Sequence, residues 1–231
     1  MPCYDRDFAA VAIDNSGLMR EIIDRLGVDI SGVCALEPVR RYIHASIAED
    51  AGKMEFAISM GARLSDGIIE GIKDEPTLIY KHHYSTINHF LDQAALKLTS
   101  EIQKKGYKAI AIPASQIVDW DAQLGHLPHK AAAHHAGLGW VGRSNLLINP
   151  KFGARVRYVT ILTDMPLQAD GSVEGNCGEC RRCIELCPAA AITEEGYDRG
   201  KCLAKLKEFS KKTGIGQYIC GICVKACPGQ A

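Results

Sequence analysis

The stretch that decides the fold of the C-terminal region reads Cys177-Gly178-Glu179-Cys180-Arg181-Arg182-Cys183-Ile184-Glu185-Leu186-Cys187-Pro188. Two residues separate each of the first three cysteines, three residues precede the fourth, and a proline follows it. This C-x2-C-x2-C-x3-C-P spacing is the bacterial ferredoxin run, in which the fourth thiolate binds a second cluster. The proline redirects the backbone after the last ligand because its φ is fixed and it has no N–H. The stretch therefore predicts two [4Fe–4S] clusters.

A second cysteine run near the C-terminus is incomplete. Cys220, Cys223 and Cys227 are followed by Pro228, but Gln217 stands where the pattern requires another cysteine. Cys202 remains as the unassigned cysteine of this region, and we expect it to supply the missing thiolate through a longer loop. The predicted ligand sets are Cys177, Cys180, Cys183 and Cys227 for one cluster, and Cys202, Cys220, Cys223 and Cys187 for the other.

Two four-cysteine zinc sites are the alternative interpretation of these runs, because zinc sites also use C-x2-C pairs. Zinc requires neither a third C-x2-C step nor the x3-C-P ending, so the spacing favours iron–sulfur clusters. Of the ten cysteines, Cys3 and Cys34 lie far from the runs, and we expect both to behave as small apolar residues. Grouped cysteines in a chain of this length indicate metal binding rather than disulfides.

The composition is that of an ordered globular protein without a dominant charge. Of its 231 residues, 27 are basic and 27 acidic, and 47% are hydrophobic. No apolar run approaches the ~20 residues that a membrane helix needs, and residues 1–7 lack the pattern of an export signal. We therefore expect a cytoplasmic protein that does not enter a membrane.

Helical and strand patterns alternate over the first 165 or so residues, which predicts an α+β layered domain, an α/β sandwich, at residues 1–170. Residues 171–231 are expected to form a small ferredoxin-like module with two clusters. Helices are predicted at 16–26, with Ser16 as the N-cap, and at 85–105, 128–136 and 201–209. The helix at 85–105 is predicted to carry one apolar stripe, made of Ile87, Phe90, Leu91, Ala94, Ala95, Leu98 and Ile102. Strands are predicted at 33–36, 54–60, 107–112 and 155–162.

The stretch Gly137-Leu138-Gly139-Trp140-Val141-Gly142 matches the G-x-G-x-x-G dinucleotide fingerprint in letters only. That fingerprint needs a strand before it and a helix after it, so that a pyrophosphate lies at the helix N-terminus. Here a predicted alanine-rich helix, Lys130 to Ala136, precedes the glycines, and Leu146 to Ile148 with the Asn149-Pro150 turn follows. A purely structural role, as a helix stop and a tight turn, is the other interpretation.

The stretch 130–145, KAAAHHAGLGWVGRSN, followed by the cysteine runs, resembles the epoxyqueuosine reductase family. The resemblance implies a nitroreductase-like domain that binds base-off cobalamin against the glycine loop, and clusters that pass electrons to cobalt. The cofactor-binding residues that it implies are Gly137, Leu138, Gly139, Trp140, Gly142, Arg143 and Asn145. In the family the loop usually reads Gly-Lys-Asn, whereas here an arginine and one extra residue stand before the asparagine.

The resemblance also implies a proton donor, since the family carries an aspartate in a V-D-T-x-P motif before the glycine loop. This sequence has Val118-Asp119-Trp120-Asp121, which lies further from the loop and lacks the threonine and the proline. Asp119 matches by motif and Asp121 is the alternative. Among the nearby histidines, His126 is the first candidate for a catalytic role.

The resulting prediction is a cobalamin-dependent reductase that receives electrons from an external ferredoxin or flavodoxin. The resemblance implies epoxyqueuosine in tRNA as substrate, and a local basic patch of Arg143, Lys151, Arg155 and Arg157 is the expected phosphate contact. A non-catalytic electron carrier, or a reductive activator of another corrinoid protein, remains the alternative, and a flavin-binding reductase comes third.

Overall fold

The computed structural model describes the backbone of residues 4–229 and the side chains of residues 9–229. Its contacts form two compact units, and each unit is discontinuous in sequence. The first contains the chain up to Ala62 together with Asn88–Leu138 and Tyr158–Val173, and the second contains Arg63–Ile87, Gly139–Arg157 and the chain from Glu174 onward. The last junction lies close to residue 170, where the sequence predicts a boundary. Cys3 lies outside the described residues.

Eight α-helices and six strands are found between residues 4 and 229. The helices are α1 (Tyr4–Leu26), α2 (Ala48–Ala51), α3 (Asp66–Glu70), α4 (Leu78–Lys104), α5 (His129–His135), α6 (Arg182–Leu186), α7 (Arg199–Ser210) and α8 (Ile222–Ala226). The strands are β1 (Ile30–Ala35), β2 (Phe56–Arg63), β3 (Ala109–Ile112), β4 (Trp140–Val141), β5 (Leu147–Ile148) and β6 (Val156–Thr163). Helices and sheets thus mix as the α+β prediction requires.

The first unit is built on a four-stranded sheet with the order β1-β2-β6-β3. β1 is antiparallel to β2 with Val33 opposite Ile58, and β3 is antiparallel to β6 with Ala111 opposite Ile161. The central strands β2 and β6 are buried along nearly their whole length, as expected for strands that are covered on both faces.

Two helices of this unit differ from their predicted bounds. α1 begins well before Ser16, so Ser16 is not an N-cap. Its buried hydroxyl instead accepts a hydrogen bond from the Gln168 N–H at 2.8 Å, which fastens the chain after β6 to this helix. α4 also begins earlier than predicted, but its apolar stripe is confirmed: the buried residues are Leu91, Ala94, Ala95, Leu98 and Ile102.

The second unit has its own apolar core and contains every cysteine of the two runs. The core side chains come from the segment around α3, from the first turns of α4 and from the segment around α8, and they include Leu64, Ile69, Ile72, Tyr80, Ile215, Ile219 and Ile222. β4 and β5 form a separate two-stranded hairpin, with Trp140 opposite Ile148. None of the helices within residues 4–229 combines the length and apolarity needed to cross a bilayer.

Candidate functional site

Short helices present the cysteines of the second unit. α6 carries Cys183, α7 carries Cys202 and α8 carries Cys223. The turn after Cys177 is closed by its carbonyl, which accepts the Cys180 N–H at 3.1 Å. Single helical turns joined by tight loops allow thiols that are close in sequence to face a common centre.

The first predicted set consists of Cys177, Cys180, Cys183 and Cys227. Its thiols lie close enough to shift one another's pKa values. Burial raises the pKa of Cys183, and the neighbouring thiols of Cys177 and Cys180 raise it further, with a smaller effect from Cys227. Burial likewise raises the pKa of Cys227, and Cys177 adds to this increase. Cys227 therefore joins three thiols that precede it by more than forty residues, as the crossed ferredoxin pattern predicts.

The thiols of the second predicted set line one cavity of about 240 Å³, and they are Cys187, Cys202, Cys220 and Cys223. Burial raises the pKa of Cys220 to about 11, and the Cys202 and Cys187 thiols contribute. Burial raises the pKa of Cys223 to about 12, with the thiols around it adding to the effect. Cys202 is thus near the cavity although it is distant in sequence.

Both sets offer four soft sulfur donors, which is the ligand type of a [4Fe–4S] cluster. Within residues 4–229, no three His, Cys, Asp or Glu side chains converge on a point that would suit a single metal ion. The four thiolates of a [4Fe–4S] cluster bind four different irons and do not need such convergence. The donor chemistry therefore fits two clusters.

Tyrosines and cations form the rest of the wall of this cavity. The tyrosines are Tyr80, Tyr84, Tyr197 and Tyr218, and the cations are Arg157 and Lys205. The Arg157 guanidinium lies 4.5 Å from the centre of the Tyr84 ring. Burial raises the pKa of Tyr197, and a hydrogen bond with Cys202 raises it further, which leaves the hydroxyl protonated at neutral pH and able to donate to sulfur.

Arg155 connects α3 to the second cysteine run. Its side chain is 6% exposed, and its guanidinium donates to Asp66 at 2.8 Å, to Glu70 at 2.5 Å and to the carbonyl of Lys225 at 3.0 Å. The Lys225 ammonium donates in turn to the carbonyls of Glu70 and Ile72. Because Lys225 lies between Cys223 and Cys227, this network holds ligands of both predicted sets in place.

The prediction that Arg155 belongs to a basic surface patch is therefore wrong. Arg155 does not face solvent, because two carboxylates and a backbone carbonyl bind it within the second unit. Arg143 is also engaged: it donates to the Gly178 carbonyl at 3.0 Å and pairs with Glu194 at 3.3 Å. Of the four residues, Lys151 is the exposed one.

The glycine stretch leads from α5 into the β4–β5 hairpin, so no helix follows it. The rejection of a dinucleotide fingerprint is thereby confirmed. A side chain at Gly139 would place its Cβ 2.1 Å from the Ile148 carbonyl oxygen, and one at Gly142 would lie 2.6 Å from Ile148 Cγ1 and 3.1 Å from Cys177 Sγ. Protein atoms occupy the space that a side chain would need at either position. Close packing within the hairpin, and of the hairpin against the first cysteine turn, therefore explains why both residues are glycine.

The remaining residues of the stretch have different environments. In the first unit, Gly137 and Leu138 line a cavity of about 320 Å³ between α1, β1 and the end of α5. In the second unit, Trp140 packs on Gly175, and its Nε1 is buried without a hydrogen-bond partner among the described residues. Asn145 takes the left-handed conformation in the hairpin turn, with φ of 59°.

The candidate proton donors lie on one loop of the first unit. Asp119 and Leu124 form a backbone bridge, and the Asp119 carboxylate accepts the Ala122 N–H at 2.8 Å, so it shapes the turn. Asp121 is exposed at the tip. The buried Nδ1 of His126 has no hydrogen-bond partner among the described residues. Because buried polar groups are normally hydrogen-bonded, Trp140 and His126 each offer a site for a polar group of a ligand.

Two comparisons address the identity of this arrangement. Residues 176–230 match the model of a 4Fe-4S double cluster binding domain. The epoxyqueuosine reductase of Leadbetterella byssophila is 34% identical over 172 residues, which cover 69% of this chain and 54% of that protein. Over about two thirds of its length, the chain is similar to an epoxyqueuosine reductase. It spans about half the length of this epoxyqueuosine reductase.

Solved structures share the fold at lower identity. A reductive dehalogenase, described with a mechanism for B12-dependent dehalogenation, superimposes with a TM-score of 0.71 at 22% identity and covers 90% of this chain and 30% of its own. An epoxyqueuosine reductase bound to an epoxyqueuosine-modified tRNA stem loop gives a TM-score of 0.65 at 18% identity and covers 94% and 65%. The α+β fold with a double-cluster module is thus confirmed.

Sequence reasoning missed three features near the cysteines. Arg155 was expected at the surface, and neither the hydrogen bond of Tyr197 with Cys202 nor that of Gln217 with Ser85 was expected. The carboxylates that bind the buried Arg155 belong to Asp66 and Glu70, which are far away in sequence, so the residues next to Arg155 could not predict its burial.

Proposed function

We propose that this chain is an iron–sulfur and cobalamin-dependent reductase related to the epoxyqueuosine reductases, working in the cytoplasm, where cysteine sets of this kind stay reduced. The observation that carries the proposal is the assembly of eight cysteine thiols into two sets, one of which borders the glycine hairpin at Gly142. The clusters would supply single electrons, and cobalamin would supply a low-valent cobalt centre for reducing an electrophilic carbon.

The residues of the chain have separate tasks in this proposal. Cys177, Cys180, Cys183 and Cys227 would hold one cluster, and Cys187, Cys202, Cys220 and Cys223 the other. Arg143 holds the hairpin to the first cysteine turn through the Gly178 carbonyl, which keeps the distance between that turn and the glycine stretch constant. The buried Tyr80 and the half-buried Tyr84, Tyr197 and Tyr218 limit the access of water to the second set.

Cobalamin binding would use the residues 137–145, among which the Trp140 Nε1 is buried without a hydrogen-bond partner among the described residues. The proton required by the reduction would come from Asp121 or His126, or from Asp119 once its turn opens. The substrate in this proposal is a modified nucleoside in tRNA, supported by the relatives' name and by the stem-loop complex of one structural neighbour.

The test is anaerobic reconstitution with iron, sulfide and cobalamin. We expect about eight irons per chain, because two four-iron clusters bind, together with a stoichiometric base-off corrin spectrum. Cys202→Ser should lose about half of the iron, Cys177→Ser should lose the other half, and Cys34→Ala should lose none. Zinc in place of iron would refute the cluster assignment, and reduction of an epoxyqueuosine-containing stem loop would establish the substrate.

A non-catalytic electron carrier or reductive activator is the second candidate. It is favoured by the Asp119 carboxylate, which is occupied in a turn, and by Gly139 and Gly142, whose missing side chains are replaced by protein rather than by open space. Full iron content without any corrin binding would select this candidate.

A further inference from the structure

α7 has two unlike faces. Its inner face carries Cys202, Lys205 and Leu206, which line the cavity of the second cysteine set, and the buried Phe209. Its outer face carries exposed lysines at positions 201, 207 and 211, with Arg199 exposed at the first turn. The helix that supplies a cluster ligand therefore also presents positive charge to solvent.

The acids of this segment do not cancel that charge. Asp198 caps the helix by accepting the Lys201 N–H at 3.0 Å, and Glu208 pairs with Lys205 at 2.6 Å. Within residues 198–212, six cations outnumber Asp198 and Glu208 by four charges, and the ion pair of Lys212 with Glu75 reduces this local excess to three. The cations are Arg199, Lys201, Lys205, Lys207, Lys211 and Lys212. In a chain whose formal net charge is zero, this excess is local.

The surroundings of the first set, which consists of Cys177, Cys180, Cys183 and Cys227, differ from those of the second set in surface charge. Around the exposed Cys180 the signs alternate, from Glu179 to Arg181 and Arg182 and then to Glu185. The other side of this set borders the glycine hairpin, since Gly142 lies against Cys177. Ser144 and Leu146 of the same hairpin line the cavity of the second set, so both sets border the hairpin. The two sets differ in that the second set underlies a surface of one sign.

We propose that the outer face of α7 is the docking surface for an acidic one-electron carrier protein, which delivers electrons first to the cluster held by Cys202. This inference rests on the cluster ligation proposed above and names the point of entry. One electron leaves the reduced carrier and is accepted by the iron centre that Cys202 ligates. No bond forms or breaks, and no proton moves.

A carrier is favoured over a nucleic acid because of what lies beneath the charge. Electron transfer requires the partner to approach a cluster, and on this face only the width of α7 separates solvent from the Cys202 thiol. Binding of phosphates would need the lysines but not the cysteine below them. Opposite charges on two partners accelerate their encounter by about 10- to 1000-fold, and salt removes the effect.

The experiment uses the full chain with both clusters reconstituted and photoreduced flavodoxin, an acidic flavoprotein, as the probe. Stopped-flow absorbance follows cluster reduction at several ionic strengths. The test variant combines Lys201→Glu, Lys207→Glu and Lys211→Glu, and a second variant carries Gln at the same three positions. The matched control carries Lys53→Glu, Lys97→Glu and Lys105→Glu, which are exposed in the first unit and change the net charge equally.

At low ionic strength we expect the Glu variant to be reduced about tenfold more slowly than the wild type, the Gln variant to be slowed less, and the control to stay within about twofold. The difference should vanish at about 1 M salt. A small uncharged photoreductant should reduce all four proteins at one rate. If charge reversal disturbs α7 and lowers the iron content, the Gln variant decides the question.

Equal rates for the Glu variant and the control would overturn the inference. So would a Glu variant that keeps its rate but loses affinity for a tRNA stem loop, because the lysines would then bind nucleic acid. Absence of iron from the reconstituted wild type would instead refute the proposed function, so the two failures are distinguishable.

Discussion

Gln217 and Ser85 exchange hydrogen bonds across 132 residues of sequence: the Gln217 Nε2 donates to the Ser85 Oγ at 3.1 Å, and the Ser85 hydroxyl lies 3.4 Å from the Gln217 Oε1. A complete ferredoxin run would have a cysteine at position 217. The side chain that replaces it fastens the second run to α4, and Cys202 on α7 lines the cavity in its place.

The first prediction concerns restoration of the ferredoxin pattern. Adding Gln217→Cys to Cys202→Ser should not restore the second cluster, because a sulfur at 217 would point toward Ser85 rather than into the cavity. Iron content should stay at half of the wild-type value, with one cluster signal in electron paramagnetic resonance. Gln217→Cys alone, which keeps Cys202, should retain both clusters. Recovery of the full iron content in the double variant would show that position 217 reaches the cavity.

Arg155→Met should destabilise the second unit by about 2 kcal/mol, since hydrogen bonds to charged groups contribute roughly 1.5–3 kcal/mol and exposure of the two carboxylates weakens them. The change also frees the Lys225 carbonyl between Cys223 and Cys227, so a chelator should remove iron faster. Anaerobic urea unfolding and chelator kinetics measure the two effects. The exposed Arg25→Met is the control, and a matching urea midpoint for both variants would contradict the prediction.

Loading of the second cluster should depend steeply on pH. Burial is the main cause that raises the pKa of Cys220 to about 11 and that of Cys223 to about 12, so both thiols keep their protons at neutral pH. Iron binds the thiolate, so each ligation releases a proton and binding strengthens as pH rises. Between about pH 7 and 9, the initial rate of cluster formation in Cys177→Ser, which retains the second set, should increase.

The control for this pH dependence is Cys202→Ser, which retains the first set and experiences the same iron and sulfide chemistry. Its rate should increase less steeply with pH. Equal slopes for the two variants would mean that the buried thiols of the second set do not limit loading.

Comparing Asp119→Asn with Asp119→Ala tests whether the Asp119 carboxylate stabilises its turn or donates the proton. The amide oxygen of asparagine can still accept the Ala122 N–H, whereas alanine removes the acceptor. If the turn is the task of Asp119, the Asn variant should keep most of its reductase activity and the Ala variant should lose about tenfold or more through a loosened loop. Stem-loop reduction rates measure this, and Asp50→Asn, which changes an exposed acid of the first unit outside this loop, is the matched control. Inactivity of the Asn variant with an intact loop would identify Asp119 as the donor.

Local spacing determined much of this protein. The C-x2-C-x2-C-x3-C-P run and the incomplete second run were sufficient to predict the double-cluster module, because the cysteines within each run are only two or three residues apart and show the pattern locally. The stripe of α4 and the buried strands followed from apolar periodicity in the same way. The predicted helix before the glycine stretch, with a turn rather than a helix after it, argued against a dinucleotide site.

Only the tertiary structure decided the contacts that join distant segments. It placed Gln217 on Ser85, drew Arg155 inward to Asp66 and Glu70, and filled the space at Gly139 and Gly142 with protein atoms. The sequence around a glutamine, an arginine or a glycine does not indicate which distant residue it will contact. Its hydrogen bonds and close contacts depend on which segments folding brings together, and those segments are separated here by up to 132 residues.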